Sequence, residues 1–165
     1  MPFFSVLFSV FIGCSAGKDS ADTAPLTCEG SWAPSIVDIY CENSGLMIYP
    51  ETGENTPTMT VWADVEDEDA DLMAYTAELF FDDVIDGTVS TTNSLGLVEG
   101  YVNDDYCDVP SIILGTTVFL RGGQPLYETS YEWGLVVTDA NGNTSDMAMV
   151  TCKTPDASGQ GATSE

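Results

Sequence analysis

The residues with the clearest chemical potential are oxygen donors. The stretch ADVEDEDAD, residues 63–71, carries Asp64, Glu66, Asp67, Glu68, Asp69 and Asp71. Carboxylates at such spacing suit a hard cation such as calcium, which gathers about six to eight oxygens from carboxylates, amides and carbonyls. A second oxygen-rich stretch holds Asp139, Asn141, Asn143 and Asp146 in the alternation D-x-[DN]-x-[DN]. Its glycine, Gly142, stands fourth where a helix-loop-helix calcium loop needs it sixth, and no glutamate follows at the twelfth place, so by itself the stretch reads as a turn. The candidate calcium ligands are therefore Asp67, Asp69, Asp71, Asp139 and Asn141, and the competing reading is a solvated acidic loop.

Other chemistries find little support. Histidine is absent, which removes the commonest general base and the commonest zinc ligand, and leaves a serine nucleophile without its base. Carboxylate pairs for glycoside hydrolysis exist in number, yet all lie in loops dense with like charge, where no apolar setting singles out a general acid. The expectation is a protein that is not an enzyme; an envelope enzyme, or an accessory subunit acting on glycans through paired carboxylates, is the alternative. Three basic residues, Lys18, Arg121 and Lys153, stand against 27 acidic ones for a net charge of -24. Nucleic acid is excluded as a partner on this ground, because phosphate affinity comes from lysine and arginine.

Five cysteines, at 14, 28, 41, 107 and 152, leave one over after internal pairing. Residues 2–13 (PFFSVLFSVFIG) form an apolar run too short to span a bilayer as a helix, ending in Gly13 immediately before Cys14. This junction resembles the bacterial lipoprotein signal, in which a small residue precedes a cysteine that is lipidated and becomes the mature N-terminus. The resemblance implies a signal peptide over 1–13, a lipid anchor on Cys14, and, with Ser15 following, sorting to the outer membrane of a cell envelope. Two or more acyl chains anchor stably where one is marginal. The alternatives are a secreted, unlipidated domain, with an ordinary signal peptide and Cys14 as a free thiol, or an apolar run that forms a buried N-terminal strand. Residues 15–27 (SAGKDSADTAPLT) lack apolar periodicity, so 14–27 reads as a lipidated flexible tether. Residues 154–165 read as a disordered tail by the same criterion.

The elements that must position the acidic residues lie in 28–153. The segments 58–65, 74–81, 95–102, 116–120, 131–139 and 145–152 are short and rich in aromatic and β-branched residues. Turn signals such as ETGENTP, DDVIDG and DANGN separate them, and no segment keeps a helical period. Tyr131, Trp133, Leu135 and Val137 fall on one face at period two. The expected fold is all-β, an antiparallel sandwich of about seven strands. The stretch YEWGLVVTDANGNTSDMAMVTC reads as a hairpin closed at Asn141-Gly142. It resembles the last hairpin of bacterial immunoglobulin-like modules, the polycystic-kidney-disease-like, hyalin-repeat and cadherin-like sandwiches, and ADVEDEDAD looks like the loop after their second strand.

Cys28, Cys41, Cys107 and Cys152 allow three disulfide connectivities, and the absence of any C-x-x-C pair disfavours a zinc site. The resemblance implies that first and last strands are bridged, which gives Cys41 with Cys152 and Cys28 with Cys107. It also implies that the loop after the second strand and the final hairpin emerge at one end of the domain, bringing Asp67, Asp69 and Asp71 toward Asp139 and Asn141. The expected function is a non-enzymatic, envelope-anchored binding, adhesion or structural module, attached to the membrane through its lipid and facing a protein or glycan partner.

Overall fold

The computed structural model describes residues 7–8, 30–102, 107–121, 123–161 and 163–164. Its strands are β1 (Leu7–Phe8), β2 (Ser35–Ile48), β3 (Asn55–Glu66), β4 (Ala74–Asp82), β5 (Ser94–Tyr101), β6 (Ser111–Phe119), β7 (Ser130–Thr138), β8 (Ala148–Lys153) and β9 (Thr163–Ser164). The described residues contain no helix. All strand pairings are antiparallel, in the order β1-β6-β3-β2-β9-β8-β7-β4-β5. The seven long strands form two sheets, β6-β3-β2 and β8-β7-β4-β5, and the two residues of β9 join their edges. This is the all-β antiparallel sandwich of about seven strands that the strand pattern predicts.

The core follows from the period-two alternation of side chains along each strand. Strand β3 turns Met59, Val61, Ala63 and Val65 inward, each no more than 1% exposed. From the opposite sheet come Tyr75, Ala77, Leu79 and Phe81 of β4 and the predicted face of β7, Tyr131, Trp133, Leu135 and Val137. Phe81, Tyr131 and Trp133 pack ring against ring at 5.6–6.0 Å between centroids, edge-on or tilted as aromatic quadrupoles favour. Each such side chain contributes about 1.5–3 kcal/mol by leaving water. The outer side of β7 is covered as well. Glu132, almost fully buried, accepts hydrogen bonds from the backbone N–H groups of Asp86 and Gly87, which holds the β4–β5 loop over the sheet.

Cys41 of β2 and Cys152 of β8 form a disulfide across the two sheets, with sulfurs 1.97 Å apart. Cys107 is also disulfide-bonded; its pairing with Cys28, like Cys14 and the tether 14–27, lies outside the described residues. The segment read as a tail begins on the sandwich itself. Thr154 is 1% exposed, donates to the carbonyl of Leu126 and accepts from the N–H of Thr129. Asp156 then closes a turn by accepting from Ser158 and Gln160. Composition concealed this docking because the contacts are polar.

Strand polarity sets the ends of the domain. Glu66 of β3 pairs with Ser111 of β6 at one end, and Asn55 and Phe119 lie at the other. Strand β7 likewise runs from Ser130 at the second end to Thr138 at the first, so the loops after β3 and after β7 share an end. The described cations lie at the opposite one. Arg121 sits over the Tyr49 ring at 3.8 Å and 3.6 Å from Glu51, and Lys153 pairs with Ser130.

Candidate metal centre

The β3–β4 loop is folded by its backbone. The N–H of Asp67 donates to the carbonyl of Pro110 and that of Val109 to the carbonyl of Ala70, while Asp71 and Val109 form an isolated bridge. The N–H of Asp69 donates to Oδ1 of Asp67 at 2.9 Å, an Asx-type turn. Ala70 takes a positive φ of 61°, a conformation that sets an alanine back by about 1–2 kcal/mol. The result turns Asp67, Asp69 and Asp71 toward one another, with one carboxylate oxygen from each lying within 4.8 Å of the others.

Burial makes that grouping chemically unusual. Asp67 is 5% exposed and Asp71 0%, and no hydrogen-bond donor reaches Oδ2 of Asp67, Oδ1 of Asp69 or Oδ1 of Asp71. A buried carboxylate oxygen without a donor is costly, and three together are costlier. Burial pushes the Asp67 carboxyl up to about 7, helped by its contact with Asp69 and the charge of Asp71. Asp71 is also raised, by burial first and by the charges of Asp139 and Asp69, against the opposing hydrogen bond from Asn141. Asp69 is lowered, by its contact with Asp67 and then by the backbone N–H groups of Trp32 and Ser31. Such a group holds either a proton or a cation.

The final hairpin supplies the next member. Asp139, Asn141, Gly142 and Asn143 form the turn, and of the Asn-Gly pair only Gly142 takes a positive φ, 89°. Nδ2 of Asn141 donates to Oδ2 of Asp71, joining residues that are 70 positions apart. Rotating that amide would present its carbonyl oxygen to the same place. Asp139 is differently employed. Its Oδ1 accepts from the N–H groups of Asn141 and Asn143, and its Oδ2 from the Asn143 side chain. It therefore contributes its charge to the site and orders the turn that carries Asn141. Asp64 lies on the outer face of β3, and Glu66, Glu68 and Asp146 are exposed, so these four do not join the group.

Sequence reasoning missed the segment Gly30–Trp32. The N–H groups of Ser31 and Trp32 donate to Oδ2 of Asp69 at 2.6 and 2.8 Å. Gly30 passes so close that a Cβ there would lie 2.6 Å from Oδ2 of Asp71 and 2.7 Å from Oδ2 of Asp69. Backbone donors leave no mark in a sequence, and only the glycine hints at a close approach. Trp32, 59% exposed, stands beside the acidic group in a solvent-open depression that also touches Ala33, Glu66 and Asp67.

Every donor in the group is oxygen, which matches calcium or magnesium and not the softer zinc or copper. No protein-family model matches the chain, and no curated protein and no solved structure is significantly similar to it.

Proposed function

We propose that this chain is a non-enzymatic binding module that takes a divalent cation, calcium by preference, at the loop end of its sandwich, and that it is held at a bacterial envelope through lipidated Cys14. The observation that carries the cation reading is the trio of buried carboxylate oxygens on Asp67, Asp69 and Asp71 that no donor reaches. Asn141 and water complete the coordination that three carboxylates begin, and calcium tolerates the irregular geometry of such a set better than magnesium. The same ion clamps the β3–β4 loop, the final hairpin and the Gly30–Trp32 segment together, because the last two donate to the outer oxygens of the Asp69 and Asp71 carboxylates whose other oxygens face the ion.

Ion and general screening separate in one experiment. Thermal melts in calcium chloride and sodium chloride at matched ionic strength respond alike to screening, whereas a site adds RT ln(1 + [L]/Kd), about 2.7 kcal/mol at a hundred times Kd. Calcium is expected to raise the melting temperature beyond sodium and to change the emission of Trp32; equal shifts in the two salts would refute the site. The anchor is tested by mass spectrometry of the mature protein from a Gram-negative host. An unmodified Cys14 there would end the lipoprotein reading.

A further inference from the structure

The outer face of β2-β3-β6 carries an arrangement unconnected with the acidic loops. The register sets Tyr40, Trp62 and Gly115 side by side in one row, with Asp38, Asp64 and Ile113 in the next. The Trp62 indole lies flat across all three strands. Its Nε1 donates to Oε2 of Glu42 on β2 at 3.1 Å, and its six-membered ring lies over Gly115 on β6, where a Cβ would come within 2.6 Å of it. One ring face thus rests on the sheet and the other looks outward, beside Tyr40, which is 37% exposed. Asp38 stands directly opposite Asp64 on this face, a like-charge pairing that destabilises a sheet unless something positive sits beside it. Successive rows on one face are about 7 Å apart, so those carboxylates are within reach of whatever covers the indole. Among the described residues no lysine or arginine belongs to this face, since Arg121 is engaged with Glu51 and Tyr49 and Lys153 belongs to β8.

We propose that this face docks a cationic side chain, a lysine- or arginine-bearing segment of a partner protein, with the ammonium or guanidinium seated on the Trp62 ring and flanked by Asp38, Asp64 and Tyr40. The charge complementarity selects this occupant: a pinned indole face attracts cations through its quadrupole, the unneutralised Asp38–Asp64 pair supplies the counter-charge, and a guanidinium can do both by stacking and forking at once.

The test is calorimetric titration of the full chain with a hexa-arginine peptide and with its neutral hexa-citrulline counterpart, in EGTA so that the loop site plays no part. Arginine is expected to bind at least about tenfold tighter than citrulline. Tyr40→Ala should weaken it by about fivefold or more, and so should Asp38→Asn with Asp64→Asn, a pair whose fold is safe because it removes a repulsion. Asp83→Asn with Glu99→Gln, which removes the same charge from exposed positions in the β4–β5 loop and on β5, should change the affinity less than twofold. Equal weakening by both pairs would reduce the binding to bulk charge and overturn the proposal. So would comparable binding of citrulline, no binding at all, or a neutral oligosaccharide whose binding Tyr40→Ala abolishes.

Discussion

Replacing Asp67 by asparagine should stabilise the protein when calcium is absent and weaken it, relative to the native chain, when calcium is present. The asparagine keeps the acceptor that the Asp69 N–H uses and puts an amide donor where Oδ2 has none. It also removes one charge from a pair of buried carboxylates, Asp67 and Asp71, whose oxygens lie within 4.8 Å. At an effective dielectric of about 20 that repulsion is about 3.5 kcal/mol; the open mouth of the site admits screening, which brings the expected gain to about 1–2 kcal/mol. For a chain of this size the melting temperature should rise by about 3–8 °C in EGTA at pH 8. Saturating calcium should reverse the order, because the native site gains about 2.7 kcal/mol at a hundred times Kd and the variant has lost a ligand. Scanning calorimetry of both proteins in both conditions reads all four values. A variant that melts at or below the native protein in EGTA would refute the argument that the carboxylates repel one another.

Gly142→Val should destabilise the fold by about 1–3 kcal/mol in urea titrations, since valine at a φ of 89° is strained; an unchanged midpoint would count against the turn's structural role. Replacing Cys41 and Cys152 together by alanine opens a bridge between positions 111 apart and should lower stability by about 3–5 kcal/mol through the freed unfolded chain, with a loss below about 1 kcal/mol contradicting this. Burial pushes the Tyr75 phenol up to about 12 from an ordinary value near 10, so the folded state keeps a proton that the unfolded chain releases. Stability from this residue is complete below pH 10 and is lost as pH rises from 10 toward 12. Tyr75→Phe should therefore lose less stability than the native protein over that interval, and parallel curves would exclude the effect.

The sandwich was readable where one rule governed a whole segment. β7 sets a large apolar residue at every second position, Tyr131, Trp133, Leu135 and Val137, and DANGN punctuates it, so the final hairpin and its inward face could be read directly. β2 could not, because irregularities between Ile36 and Asp38 and between Asn43 and Gly45 break its period-two pattern, and Gly45 at a φ of 72° resembles a turn residue. That the loops carrying Asp71 and Asn141 share an end was implied by the resemblance to immunoglobulin-like modules; their hydrogen bond is seen only in the structure. The different duties of Asp139 and Asp71 do not, since both are aspartates in acidic loops and only the turn's own N–H groups claim the first. The docking of Gly30–Trp32 on Asp69 rests on backbone donors, to which side-chain patterns are blind. The flat seat of Trp62 needed the register, which alone places Gly115 beside it.

The bridge between Cys41 and Cys152 also decides how the domain answers to pulling. For a chain fixed at its N-terminus and drawn from its C-terminal end, tension enters β2 at Cys41 and leaves β8 at Cys152 through two sulfur atoms, without crossing the sheets. Positions 111 apart correspond to about 390 Å of extended chain at about 3.5 Å per residue, and none of that length can pay out while the bridge is closed. The start of β2 and the Gly30–Trp32 segment seated on Asp69 lie outside this bridge and can extend as far as the second disulfide, at Cys107, allows. Under force the domain would therefore give a short first extension as that segment peels away, and then stiffen into a nearly inextensible link.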